Sequence, residues 1–209
     1  MIRLLLSVTI TFLCIIPALS QSRVPIEEYG KRDCPGGYID LDGEFHEGLV
    51  YIYPLYNGKL NFRKEHNDYA LKLKSEEILG FIIGKDEFHS LKEIPIINFL
   101  GFKKVLSCGF GKMVTLGKIE AFMVYVQESN YITGSIELNK NMVLFMGDKK
   151  IAIPINRRLK RNRLEKVKDE LKQFFDQDPY WTEQIDQILT RESGFVGIYD
   201  LVEEYNQGA

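Results

Sequence analysis

Three segments in the middle of the chain carry apolar side chains at both odd and even positions. Side chains alternate between the two faces of a β-strand, so strands formed by these segments would be apolar on both faces. Such strands need cover on both sides of their sheet. We therefore expect barrel closure or a second sheet on one side and helices on the other. The three segments are residues 49–53, 121–126 and 142–146.

Hairpin signals around these segments predict an antiparallel sheet. Asp-Gly at 42–43, Asn-Gly at 57–58 and Gly-Asp at 147–148 tolerate the positive φ of a two-residue hairpin turn. The Gly-Phe-Gly sequence at 109–111 is expected to form a turn or a bulge. The predicted strands are residues 38–41, 45–53, 59–62, 69–73, 78–83, 104–108, 112–116, 121–127, 132–137, 142–146 and 149–155.

The last third of the chain changes to the period of amphipathic helices. Asn162 and Glu165 have the spacing of a capping box, which predicts a first helix from Arg163. Asp178 followed by Pro179 predicts the start of a second helix. The apolar positions of the three helices are Leu164, Val167, Leu171, Phe174 and Phe175, then Trp181, Ile185, Ile188 and Leu189, then Ile198, Leu201, Val202 and Tyr205.

Three short helices cannot bury these faces alone, so we expect them to dock on the sheet within one domain. The predicted fold class is α+β, with an antiparallel sheet or partly closed barrel of about 8–10 short strands followed by three C-terminal helices packed on it. The predicted segments are a signal peptide (1–20), an irregular leader (21–36) and a single domain (37–209) that is β-rich over 37–156 and helical over 157–209.

The first twenty residues have the three parts of a secretory signal. Arg3 provides the basic start, residues 4–16 the apolar stretch, and Ala18 and Ser20 the small residues before a cleavage expected at Gln21. A bilayer span needs ~20 apolar residues, so this run is too short, and we expect no transmembrane segment after signal removal. The sequence has no Asn-x-Ser/Thr sequon, which favours a bacterial envelope as the secreted or periplasmic location.

Cys34 and Cys108 would remain after signal removal. In an oxidising compartment the two could form a disulfide. The other interpretation is two separate thiols, with Cys108 buried as a small apolar side chain. The sequence leaves both interpretations open.

Overall charge is nearly balanced, with 27 Lys and Arg against 29 Asp and Glu, which argues against a nucleic-acid partner. Residues 157–168 nevertheless hold seven bases against one acid, and residues 169–209 hold ten acids against two bases. One interpretation is an exposed anion-binding segment for a lipid or polysaccharide surface or an acidic protein. The other is that the bases are solvated or pair with the acidic tail. The candidate anion-binding residues are Arg157, Arg158, Lys160, Arg161 and Arg163.

The sequence contains no recognisable catalytic, metal-binding or cofactor-binding motif. His46, His66 and His89 are each isolated, without the spacing of a zinc site. Residues 40–44 resemble the start of a calcium loop, but the later ligand positions are missing and a hairpin turn is favoured. We predict no catalytic residue, no metal and no cofactor. An enzyme would need carboxylates that meet only on folding.

Several short segments carry a resemblance to known sequences. These segments are residues 36–43, 48–50, 77–81, 172–176 and 201–206, the last of which includes Tyr205-Asn206. Together they resemble a family of secreted Bacteroidota proteins to which no activity is assigned. The resemblance implies an envelope location and a β-then-α order, and it implies no site residues.

These observations predict a non-enzymatic binding or scaffolding protein of a bacterial envelope. The expected partner is another envelope protein or an anionic lipid or polysaccharide surface, and the oligomeric state is not predicted. Two alternatives stay open. The first is a carrier whose covered sheet encloses a hydrophobic ligand, and the second is an enzyme with a non-local carboxylate site.

Overall fold

The structure is a computed structural model that describes residues 33–52, 58–98, 100–129, 136–155, 161–190 and 196–208. Strands come first along the chain and helices follow. The strands are β1 (Cys34–Asp40), β2 (Phe45–Tyr51), β3 (Lys59–Arg63), β4 (Leu71–Lys74), β5 (Ile78–Ile83), β6 (Asp86–Ile97), β7 (Lys103–Thr115), β8 (Glu120–Ser129), β9 (Ile136–Met146) and β10 (Lys149–Pro154). The helices are α1 (Arg161–Phe174), α2 (Pro179–Ile188) and α3 (Val196–Gly208).

All ten strands belong to one sheet in the order β10-β9-β8-β7-β6-β5-β1-β2-β3-β4. Every neighbouring pair is antiparallel. The sheet is not closed over the described residues, since β10 and β4, the strands at its two ends, do not pair with each other. The predicted α+β class, with an antiparallel sheet followed by three helices, is confirmed.

The first five strands curl strongly because one turn joins β4 to β5. Glu77 N donates to Lys74 O at 2.9 Å in that turn. In a flat sheet the two strands would lie four spacings, or ~19 Å, apart. The connection from Lys74 to Ile78 reaches at most ~14 Å, so the five strands must coil around a shared core. That core contains Cys34, Val50, Ile52, Leu60, Phe62, Ile78, Phe81, Ile83, Phe88 and Phe110.

The part of the sheet formed by β8, β9 and β10 is covered on both faces. On one face Leu144 packs in a cluster with Leu171 of α1 and Leu201 of α3. On the other face, Val143 packs in a cluster with Ile94 of β6. The predicted two-sided cover is therefore confirmed for these strands, with the end of the β6–β7 hairpin acting as the second layer.

Strand β2 is covered less completely than its sequence predicts. Val50 and Ile52 are fully buried, whereas Leu49 and Tyr51 on the opposite face are only half-buried. The apolar pattern of this strand therefore marks one buried face and one partly covered face.

Several strand boundaries differ from the prediction, and closely packed glycines explain two of them. The expected turn at 109–111 lies inside β7, where a Cβ on Gly111 would come within 2.5 Å of Leu91 Cδ1. β1 begins at Cys34, so the end of the expected leader is strand. A Cβ on Gly36 would lie 2.0 Å from Ile82 O of the neighbouring strand. Glycine is required at both positions by close packing between strands.

Two further differences concern β6 and β9. The sequence does not predict β6, because Pro95 and a run of polar residues interrupt the alternation expected of a strand. The sequence predicts two strands, 132–137 and 142–146, where the structure has one strand, β9. Residues 132–135 of the first predicted strand lie outside the described residues.

The predicted apolar faces of the helices pack as expected, and the N-terminus of α2 is confirmed. Asp178 Oδ1 accepts hydrogen bonds from Tyr180 N at 2.9 Å and Trp181 N at 3.2 Å. The predicted start of α1 is wrong, because the helix begins at Arg161 and Asn162 lies inside it. None of the three described helices is long and apolar enough to cross a membrane.

Two consecutive residues after α1 adopt left-handed backbone conformations. Asp176 has φ +58° and Gln177 has φ +57°. Gln177 N donates to Lys172 O at 2.7 Å, which closes the end of the helix. A left-handed φ costs non-glycine residues energy that glycine does not lose.

We expect Gln177→Gly to raise the free energy of unfolding by about 0.5–1 kcal/mol. The backbone hydrogen bond is retained and the steric penalty of the left-handed conformation is removed. Urea denaturation measures the change. Gln173→Gly is the matched control, since this exposed helical position should instead lose about 1 kcal/mol. Stabilisation by both variants, or by neither, would contradict the explanation.

Candidate functional site

A groove of about 310 Å³ lies between β10 and the end of the β6–β7 hairpin. Its size is at the lower end of the range for ligand pockets. The lining combines apolar side chains with three lysines. The lining residues are Pro95, Ile96 and Ile97 of β6, Lys103, Lys104 and Val105 of β7, and Lys150, Ile151 and Ala152 of β10.

The groove follows an unpaired sheet edge. Three consecutive residues of β10 line it, although consecutive side chains point to opposite faces, so the lining includes the backbone edge. In the part of the chain that the structure describes, β10 pairs only with β9. One side of the β10 backbone is therefore available to another strand.

The pairing register shows which backbone groups point into the groove. Lys149 lies opposite Met146 across the two-residue turn, and Ile155 N donates to Lys140 O at 2.8 Å in the same register. Hydrogen-bonded positions alternate along an antiparallel strand, so the odd-numbered residues of β10 face β9. The N–H and C=O groups of residues 150 and 152 consequently point away from β9.

Ion pairs hold two of the three lysines at the rim. Lys150 Nζ lies 2.9 Å from Glu93 Oε2, and Lys103 Nζ lies 2.9 Å from Glu170 Oε1 of α1. The hydrogen bond from Lys150, together with its charge, lowers the pKa of Glu93. Lys104 has no ion pair among the described residues. The rim therefore presents one uncompensated positive charge.

Glu93 also shows local backbone strain next to the groove. Its φ is +50°, a left-handed conformation that costs a residue with a side chain of order 1–3 kcal/mol. The ion pair with Lys150 links this strained residue of β6 to the edge strand. The contact therefore joins the two walls of the groove, although the exposed position of Glu93 makes it a weak link.

Two buried asparagines of β9 hold the other end of β6. Ile97 N donates to Asn141 Oδ1 at 3.0 Å, and Asn139 Nδ2 donates to Ile97 O at 2.5 Å. Side chains thus satisfy both backbone groups of Ile97, as a neighbouring strand would. These bonds join the hairpin end to β9.

Two of the candidate anion-binding residues belong to the described part of α1. Arg157, Arg158 and Lys160 lie outside the described residues. Arg161 and Arg163 lie in the first turn of α1, so the expectation that Arg161 belongs to an exposed connector is wrong. The helix begins earlier than its predicted cap.

Nearby basic residues pair with acids of the following helix. Lys172 Nζ lies 2.8 Å and Lys168 Nζ 3.5 Å from carboxylate oxygens of Asp186. The hydrogen bond from Lys172 is the main cause that lowers the pKa of Asp186. For Lys168, the interpretation that the basic segment pairs with the acidic tail is correct.

The structure contains no disulfide between Cys34 and Cys108. Cys34 is buried in the core of the curled strands. Cys108 lies half-buried in β7, and its Sγ donates to Glu76 Oε1 at 3.2 Å. The two thiols occupy separate environments, in agreement with the interpretation that does not link them. The accompanying expectation that Cys108 is buried is wrong, because its thiol is half-buried and contacts Glu76.

The β1–β2 turn brings together three groups that are common metal ligands. Ligand atoms of Asp40, Glu44 and His46 lie within 4.8 Å of one another. Asp40 Oδ1 already accepts from Asp42 N at 3.0 Å and Glu44 N at 2.9 Å, and Oδ2 bonds His46 Nε2 at 2.8 Å. The bond with His46 is the main cause that lowers the pKa of Asp40. These bonds are those of the predicted hairpin turn.

Comparison with known proteins gives no relative from which a function could be transferred. No protein-family model, no curated protein and no solved structure matches the chain. The resemblance to secreted Bacteroidota proteins therefore stays a prediction.

The residues that line the groove are not among the predicted site residues. Three strands from different parts of the chain build the groove, so no local motif marks it.

Proposed function

We propose that this protein is a secreted or periplasmic, non-enzymatic binding protein of a bacterial envelope. In this proposal, an extended segment of a partner protein pairs with β10 in the groove. One observation carries the proposal. The backbone N–H and C=O groups of Lys150 and Ala152 point away from β9, on the side where an apolar groove with lysines at its rim lies. Strand addition to a sheet edge is a common mode of peptide recognition.

The backbone groups favour a peptide over a purely apolar ligand. A hydrocarbon chain in the groove would cover N–H and C=O groups without bonding them. Each such group left without a partner costs about 1–3 kcal/mol. A peptide strand would bond them instead and still place alternate side chains against Ile97 and Val105, which line the groove.

The lysines favour an acidic segment. Lys104 has no ion pair among the described residues, and Lys103 and Lys150 stand on the same rim. A segment that alternates apolar residues with Asp or Glu would meet both the apolar walls and the positive charges. Charge complementarity of this kind contributes chiefly to specificity and to the rate of association.

The two alternative functions have weaker support. A carrier would bind a hydrophobic ligand in the same groove. That ligand would cover the N–H and C=O groups of β10 without forming hydrogen bonds to them, which costs binding free energy. An enzyme would need facing acids in a cleft with a raised pKa on one of them. The close carboxylates Asp40 and Glu44 instead lie in a hairpin turn, and the pKa of Asp40 is lowered.

Backbone NMR of the protein with two synthetic peptides tests the proposal. The probe is an acetylated, amidated hexapeptide of alternating Val and Glu, and its control alternates Val and Lys. We expect the amide signals of Lys150 and Ala152 to shift and exchange more slowly with the first peptide. Binding of sodium decanoate in place of the peptide would support the carrier instead.

The backbone contribution is tested by a pair of variants at one position. Lys150→Pro and Lys150→Gln both remove the ion pair with Glu93, but only the first removes the outward N–H. We expect Lys150→Pro to bind the Val-Glu peptide about tenfold more weakly than Lys150→Gln. Equal affinities would contradict strand addition. If Lys150→Pro does not fold, Lys104→Glu should weaken binding of the same peptide, and unchanged binding would count against the site.

A further inference from the structure

The turn between β6 and β7 exposes large apolar side chains. Leu100 is 55% exposed, Phe102 is 65% exposed, and Val105 at the start of β7 is 68% exposed. Large apolar side chains exposed close together in the chain are candidates for a surface that contacts a partner or a membrane.

Hydrogen bonds join the two ends of this turn. Asn98 is buried, and its Oδ1 accepts from Phe102 N at 2.8 Å. Asn98 N donates to Phe102 O at 2.9 Å, and Gly101 N donates to Asn98 O at 2.8 Å. Gly101 has φ +93°, which favours glycine. Leu100 and Phe102 are exposed in this hydrogen-bonded arrangement.

Positive charges directly follow the exposed apolar residues. Lys103 and Lys104 come immediately after Phe102 at the start of β7. Lysine side chains can place their charge at the level of lipid headgroups while neighbouring apolar side chains enter the acyl boundary. The apolar side chains at the tip of the turn would thus reach the acyl boundary of an anionic bilayer, and the lysines behind them would lie at the level of its headgroups.

A second turn in the same chain gives a natural comparison. In the β1–β2 turn, Leu41 is 61% exposed and Phe45 is 48% exposed. Asp40 and Glu44 flank these side chains, so an anionic surface would repel that turn. The two turns carry the same apolar residue types and opposite charges.

We propose that the β6–β7 turn is a membrane-contact surface for anionic phospholipid bilayers. Leu100 and Phe102 enter the boundary between headgroups and acyl chains, and Lys104, which has no ion pair among the described residues, contacts lipid phosphates, whereas Lys103 is paired with Glu170 of α1. This role goes beyond the proposed function, since it needs no peptide in the groove. It places the groove next to the membrane surface, where envelope proteins are concentrated.

Tryptophan fluorescence tests insertion at the turn itself. The full chain has one Trp, so Phe102→Trp and the control Phe45→Trp each add a single reporter. With vesicles of phosphatidylglycerol and phosphatidylcholine, we expect a blue shift for Phe102→Trp beyond the wild-type signal and none for Phe45→Trp. No shift for Phe102→Trp, or the same shift for both variants, would overturn the proposal.

Vesicle sedimentation measures the contributions of the side chains. Leu100→Ser/Phe102→Ser should lower the partition coefficient at least about tenfold. Leu41→Ser/Phe45→Ser, the matched control, should leave it unchanged. Lys104→Gln should lower it about fivefold at low salt, and less at high salt. Lys103→Gln should lower it less, because Lys103 is paired with Glu170.

Two sedimentation results would contradict the membrane contact. Wild-type partitioning of Leu100→Ser/Phe102→Ser would assign vesicle binding to another part of the chain, such as residues 157–163. Equal binding to vesicles with and without phosphatidylglycerol would remove the role of the lysines. Peptide binding by NMR is measured without vesicles, so failure of this proposal is distinguishable from failure of strand addition at β10.

Discussion

Leu144→Ala should lower the free energy of unfolding by about 3–5 kcal/mol. Leu144 is fully buried in β9, in the cluster that joins the sheet to the helices. Its neighbours on both sides are paired strands, β8 and β10, so the surroundings have little freedom to collapse into the space left behind. A cavity term therefore adds to the lost transfer free energy.

Urea denaturation followed by circular dichroism measures this loss. Leu79→Ala is the matched control, because Leu79 is exposed on β5 and its truncation should cost no more than about 0.5 kcal/mol. Similar losses for the two variants would show that the helices do not pack tightly on β9. The double cover of this sheet would then be wrong.

Asn206→Ala should be the second most damaging change, with a loss of about 2–4 kcal/mol. Asn206 of α3 bonds both backbone groups of Ile119, which is fully buried. Its Nδ2 donates to Ile119 O and its Oδ1 accepts from Ile119 N, each at 2.9 Å. A Cβ on Gly117 would lie 2.4 Å from Asn206 Cγ, so this glycine admits the side chain.

The loss at Asn206 should exceed any loss at its exposed neighbour. Gln207→Ala is expected to change stability by less than about 0.5 kcal/mol. Thermal unfolding of the two variants in parallel makes the comparison. If Asn206→Ala were no worse than Gln207→Ala, then the contact between α3 and the β7–β8 turn would not support the fold.

The sequence predicts those parts of the fold in which the spacing of apolar residues follows the burial of their side chains. The two-sided apolar pattern of β8 and β9 correctly implies cover on both faces, because one face meets helices and the other meets β6. The helix faces follow for the same reason. Residues such as Leu171 and Ile185 lie where the pattern places them, fully buried.

Strand β6 could not be predicted in this way because its surroundings change along its length. Its first half pairs with β5, whereas Ile94 and Ile96 cover the sheet formed by β8, β9 and β10. Lys92 and Glu93 lie between these two environments, and Pro95 lies within the second. A single periodicity does not describe a strand that serves two cores.

The groove was beyond sequence reasoning for a different reason. It depends on distances between strands that lie far apart in the chain, such as the contact of Glu93 with Lys150. Charge counts predict an anion-binding segment at residues 157–163 instead, because the local density of basic residues is highest there. Three dispersed lysines leave no such local signal.

The open edge of β10 also bears on self-association of the protein. Exposed strand edges promote fibrous aggregation, and natural sheets often guard them with lysine and proline. In two copies meeting edge to edge, Lys150 would lie in the seam, and Pro154 would offer no N–H to the second copy. The same residues leave an acidic strand free to approach, so the edge discourages polymerisation of the chain while it stays open to a partner of opposite charge.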